Sequence, residues 1–85
     1  MLELNYTNQG RRPTTGQIIA AWKKAGCPTE FTVEYGETYA HFQQVGARWY
    51  ADGNGCRGVK RDEVEKKLQQ IINAENNGVE PTASW

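Results

Sequence analysis

Apolar and polar residues alternate with two different periods along this 85-residue chain. Leu2, Leu4 and Tyr6 alternate with Glu3, Asn5 and Thr7, the period of two that marks a half-buried strand. After a turn-forming stretch from Asn8 to Pro13, Thr14 and Gln17 have the spacing of a helix capping box. Ile18, Ala21, Trp22 and Ala25 then fall at i, i+3, i+4 and i+7, so one helix is predicted over about 14–25. Gly26 and Pro28 stop it.

The period returns to two at Phe31, Val33 and Tyr35, which alternate with Glu30, Thr32 and Glu34. Gly36-Glu37 reads as a hairpin turn, and 38–44 as a third strand with Tyr39 and Phe42 on opposite faces, expected to be covered on both sides. Val45-Gly46 reads as a second turn before a fourth strand over 47–51. Val64, Leu68, Ile71 and Ile72 restore the helical period. With Lys60 as N-cap, Val59 and Val64 take the places of a hydrophobic staple, and Asn76-Asn77-Gly78 ends the helix. The predicted fold class is α+β, in the order β-α-β-β-β-α, with two helices packed on an antiparallel sheet. Residues 1–78 form a single domain and 79–85 a flexible C-terminal tail.

A chain of this length buries only about 60–65% of its unfolded surface, so its core is small and its aromatic residues must supply much of it. Ten basic and ten acidic side chains cancel, which excludes both a strongly basic DNA-coating protein and a strongly acidic nucleic-acid mimic. The signs are unevenly spread: residues 30–47 carry three anions and no cation, and residues 48–67 carry six cations against four anions. A local basic patch is compatible with that distribution. No stretch approaches the roughly 20 apolar residues of a membrane span, and the N-terminus lacks the regions of a signal peptide. No membrane association and a cytoplasmic location are the expectation. Cys27, Cys56 and the one histidine, His41, are too few for a zinc site built from cysteine and histidine alone, and no metal or cofactor is expected. Reduced thiols suit a cytoplasm, although the sequence leaves a Cys27–Cys56 disulfide open.

Gly53, Gly55 and Gly58 spell G-x-G-x-x-G between a strand and a helix. A dinucleotide site would need a further parallel strand after that helix, and only a short tail remains. Asp52, Asn54 and Glu63 also match positions 1, 3 and 12 of a calcium loop, but Cys56 and Arg57 occupy its positions 5 and 6. A phosphate contact survives these checks. Exposed N–H groups at a helix start, with Arg57, Lys60 and Arg61 and with Arg11 and Arg12 upstream, suit a nucleic-acid backbone. A plain strand-to-helix connection, with glycine for geometry and cations for solubility, is the more economical reading of the same residues. Trp49 and Tyr50 are adjacent in a strand and therefore face opposite ways, so one is expected to be buried and the other exposed beside Arg48. His41 is the one side chain with an ordinary pKa near neutrality. No carboxylate is close to it within its own strand, and no nucleophile motif accompanies it, so catalysis is not expected.

At the level of fold, helix, three strands and helix over 17–74 resemble the double-stranded-RNA-binding architecture and the HicA-type toxins built on it. Lys24-Ala25-Gly26 at the end of the first helix, His41 in a central strand and Gly58-Val59-Lys60 leading into the last helix are similar to HicA. Tyr39-Ala40 stand where HicA-like proteins carry glycine and serine or threonine, those proteins are usually net basic, and residues 1–13 add a strand outside the pattern. The resemblance implies His41 as a catalytic candidate and Lys60 as an RNA contact.

Together these features predict a small non-catalytic binding protein, an inhibitor or adaptor of the kind phages and mobile elements encode. Its anchors toward a protein partner are Tyr39, Arg48, Trp49 and Tyr50. The alternative is a nucleic-acid module using Arg57, Lys60, Arg61, Arg11 and Arg12, and an HicA-like ribonuclease is third. Monomer and homodimer are both compatible with the sequence.

Overall fold

The computed structural model describes residues 1–53 and 59–75. Its elements are β1 (Leu2–Asn5), a 3-10 turn at Thr7–Gln9, α1 (Thr15–Lys24), β2 (Glu30–Tyr35), β3 (Thr38–Val45), β4 (Arg48–Gly53) and α2 (Arg61–Glu75). Residues 54–58 of the glycine-rich stretch, the predicted helix end at Asn76-Asn77-Gly78 and the anticipated tail 79–85 lie outside the described residues.

The four strands form one sheet in the order β1-β2-β3-β4. β2, β3 and β4 are an antiparallel meander, but β1 lies parallel to β2, with Leu2 opposite Phe31 and Leu4 opposite Val33. The sheet is therefore mixed, which corrects the expectation of an antiparallel one. The reason lies in the connection. α1 carries the chain back along the sheet before β2 begins, and such a β-α-β crossover makes neighbouring strands parallel. A period of two reports which face of a strand is buried and contains nothing about its direction.

Local signals explain the element ends. Thr14 Oγ1 accepts from the Gln17 backbone N–H at 3.0 Å, while Gln17 Oε1 accepts from the Thr14 N–H at 3.4 Å. This reciprocal cap is worth about 1 kcal/mol. At the other end of α1, Gly26 N–H donates to Lys23 O and Cys27 N–H to Trp22 O, a Schellman closure with Gly26 at φ +93°. Cys27 follows at φ +56°, a left-handed conformation uncommon outside glycine, and its free thiol is exposed. Val64 N–H donates to Lys60 O at 3.0 Å as α2 begins, and Val59 and Val64 are both fully buried there.

Both hairpins have two-residue loops that begin with glycine, Gly36 at φ +61° and Gly46 at φ +62°. Glycine in first place suits the tight turns that match strand twist. The second loop is Gly46-Ala47, because Val45 still pairs with Arg48. It sits one residue later than the alternation suggests.

Both helices contribute to one core with one face of the sheet. Ile18, Ile19 and Trp22 of α1 and Val64, Leu68 and Ile72 of α2 meet Phe31, Val33, Ala40, Phe42 and Trp49. Trp22 and Trp49 pack edge to face with centroids 5.9 Å apart, and Phe31 stacks on Phe42 at 4.9 Å. Each such pair adds roughly 0.5–1.5 kcal/mol beyond its buried area. Gln69 of α2 ties the helix to the start of β4, accepting from the Trp49 N–H at 2.9 Å and donating to Ala47 O at 2.9 Å.

Candidate functional site

Alternation along each strand fixes which side chains occupy the sheet face away from the helices. They are Glu3 and Asn5 on β1, Glu30, Thr32 and Glu34 on β2, Tyr39, His41, Gln43 and Val45 on β3, and Arg48, Tyr50 and Asp52 on β4. The expected cover on both sides of β3 is not found: its core-facing Ala40 and Phe42 are fully buried, while Tyr39 is 37% exposed and Gln43 is exposed. Tyr50 on the neighbouring strand is 50% exposed.

Strand pairing aligns these residues into rows. Glu3, Thr32, His41 and Asp52 stand opposite one another across all four strands. On one side of that row lie Asn5, Glu34 and Tyr39, and on the other Glu30, Gln43 and Tyr50. His41 Nε2 is 2.6 Å from Glu30 Oε2, a diagonal contact between β3 and β2. The strand sequence around His41 gives no hint of this carboxylate, which arrives from eleven residues upstream in sequence through register alone. Thr32, beneath these longer side chains, is buried.

Of the four anticipated protein-contact residues, the face brings together Tyr39, Tyr50 and, at its end, Arg48. Trp49 does not join them. It points into the core at 3% exposure, against Trp22 and Phe31, so as a surface anchor it is corrected to a core residue. The reason is the alternation that sets Tyr50 outward.

The anticipated phosphate-binding residues gather in part. Arg12, Lys60 and Arg61 border a shallow depression of ≈ 280 Å³ at the start of α2, reached because the β1–α1 linker passes that helix end. Asp62 and Glu63 border it too. Lys60 Nζ is 3.7 Å from Glu63 Oε1, Arg61 Nε is 3.7 Å from Asp62 Oδ1, and Thr15 Oγ1 donates to Glu63 Oε1 at 2.9 Å. These cations meet local anions before any ligand arrives. Arg11 is exposed on the same linker but does not border the depression. Arg57, with Gly55, Cys56 and Gly58, lies outside the described residues.

Gly53, the first glycine of the candidate phosphate motif, has a structural use. A Cβ there would lie 2.1 Å from Tyr39 O and 3.0 Å from Ala40 Cα, so only glycine lets β4 run against β3 at this point.

Between β4 and α2 a second open groove of ≈ 330 Å³ is bordered by Arg48, Trp49, Asp62, Glu65, Lys66 and Gln69. A cleft between Trp22, Trp49, Leu68 and Ile72 holds ≈ 70 Å³, well below the roughly 300–1,000 Å³ of ordinary ligand pockets. Among the described residues no group of three histidine, cysteine or acidic side chains is placed to hold a metal, and no helix is long and apolar enough to cross a membrane. No protein-family model matches the chain, and no curated protein or solved structure matches it either.

Proposed function

We propose that this protein is a small non-catalytic binding module, an inhibitor or adaptor of the phage or mobile-element accessory type. It engages a protein partner through the open sheet face. One observation carries the reading: two helices cover one face of the sheet, and the other face holds Tyr39 and Tyr50 at 37% and 50% exposure. Tyrosines on a rigid sheet lose little conformational freedom when a partner covers them and are enriched among residues that dominate interface energies. Arg48 at the end of the face adds a further side-chain type common in such contacts. The reading takes the protein to act in the cytoplasm as a monomer or a homodimer.

Affinity capture from the native host tests it. The wild-type chain retains a protein, and the Tyr39→Ala/Tyr50→Ala double variant loses it while Arg12→Ala/Lys60→Ala/Arg61→Ala keeps it. The reverse pattern, with nucleic acid retained, supports the second reading, a phosphate-binding module. Arg12, Lys60 and Arg61 converging at one helix start favour that reading. Its binding would weaken by orders of magnitude between low and moderate salt, whereas tyrosine-centred contacts change far less. The HicA-like ribonuclease reading draws on the His41–Glu30 contact, since a carboxylate at 2.6 Å can orient an imidazole for proton transfer. Ribonuclease activity that disappears in His41→Ala would establish it, and activity retained in that variant would end it.

A further inference from the structure

The open face has a sign as well as a shape. Around its two tyrosines the strands place Glu3, Glu30, Glu34 and Asp52, against Arg48 at one end. Glu30 is held by His41, which leaves Glu3, Glu34 and Asp52, whose Oδ1 also accepts from the Gly53 N–H at 2.8 Å, as the carboxylates distributed across the face. This unevenness is invisible in the net charge of the chain, which is zero.

We infer that the occupant of this face is a basic protein segment whose lysine or arginine side chains lie on Tyr39 and Tyr50 and end among Glu34, Asp52 and Glu3. The inference rests on the protein-binding reading above and narrows it to one partner chemistry. Two independent features select it. Exposed tyrosine rings attract a guanidinium or ammonium through their faces and receive the apolar stem of the same side chain. The carboxylates then give the charged end a partner, and arginine engages a carboxylate through two parallel hydrogen bonds. Phosphate oxygens meet the opposite field here, so a nucleic-acid backbone is disfavoured on this face. A second copy presenting the same face would set carboxylate against carboxylate. Geometry bounds the segment as well. Strands are about 4.8 Å apart, so the row from Glu3 to Asp52 spans about 14 Å, which matches cations roughly four residues apart in an extended segment.

The test uses the full chain with nona-arginine and nona-glutamate peptides as probes, read by amide chemical shifts and binding isotherms at low salt. Nona-arginine is expected to shift the signals of Thr32, Tyr39, His41 and Tyr50, and nona-glutamate to leave them in place. Affinity for nona-arginine falls by about tenfold in Glu34→Gln/Asp52→Asn and by about threefold in Tyr39→Leu/Tyr50→Leu, as expected for desolvated charge pairs and cation–π contacts respectively. A control pair on α2, Glu65→Gln/Glu75→Gln, changes it less than about twofold, as rim charges do. These substitutions are on the surface, and unchanged melting temperatures verify that each variant is folded. Absence of binding, shifts confined to α2, or equal losses in the control pair overturn the inference. So does binding of single-stranded RNA or of a second copy to this face. A host partner lost with the tyrosines but retained by Glu34→Gln/Asp52→Asn also overturns it while leaving the protein-binding reading intact. A partner retained by the tyrosine variant removes that reading itself.

Discussion

Tyr50 and Trp49 are neighbours in one strand, yet one is half exposed and the other is 3% exposed, and the contrast follows the two faces of the sheet on which they stand. The helix-side face is apolar, aromatic and closed by α1 and α2. The opposite face has the same strand register, but its side chains are carboxylates, tyrosines, one histidine and uncharged polar groups, with Arg48 and Val45 at one end. A face that no helix covers is free to carry chemistry suited to a partner. The contrast implies that substitutions on the two faces separate stability from binding.

The largest expected effect tests that separation within two adjacent residues. Trp49→Ala removes a core ring packed on Trp22 and Phe31 and costs about 3–5 kcal/mol, a large share of the stability of so small a domain. Tyr50→Ala, one residue on, stays within about 1 kcal/mol in chemical denaturation. Comparable losses at the two positions would mean that the faces are not functionally distinct.

A smaller loss is expected at the seam between β3 and β4. Gly53→Ala forces a methyl group to within 2.1 Å of the Tyr39 carbonyl oxygen, so the strands must separate locally, at a cost of about 1–3 kcal/mol in unfolding free energy by chemical denaturation. Because Tyr39 stands on the open face, the same variant should also weaken partner binding. Full stability with full binding would show that this close approach has no consequence.

These residues also indicate what the sequence discloses and what it withholds. The Thr14–Gln17 cap and the Val59–Val64 staple are local, contained within a few residues, and can be read directly from spacing. The burial of Trp22 follows from its helical face. The parallel placement of β1, the choice of Trp49 over Tyr50 for the core and the meeting of His41 with Glu30 all depend on which strand lies beside which, and in what register. Periodicity supplies sides without neighbours. The alternating Glu30, Thr32 and Glu34 already signal a polar face, but only pairing with β3 and β4 turns them into a surface with Tyr39, Tyr50 and Asp52. Arg12 reaches Lys60 and Arg61 through a tertiary approach that no local spacing encodes.

The smallest effect belongs to Tyr6, at the end of β1, whose phenol is pushed above its ordinary value of 10.0 by burial. Its folded value is the higher one, so the stability carried by the neutral phenol is complete below pH 10.0 and is lost as pH rises through that higher value. Denaturation midpoints measured across the alkaline range should therefore fall more steeply for the wild type than for Tyr6→Phe. Parallel curves would mean that Tyr6 ionises as easily in the folded chain as in the unfolded one.

The most direct measurement of the division between the two faces is hydroxyl-radical footprinting of the protein with and without its captured partner, read by mass spectrometry at single aromatic residues. Tyr39 and Tyr50 should be labelled in the free protein and lose most of that labelling in the complex, while Trp22 and Trp49 stay unreactive in both. Undiminished labelling of Tyr39 and Tyr50, with protection appearing instead beside Lys60 and Arg61, would contradict the assignment of the open sheet face as the binding surface.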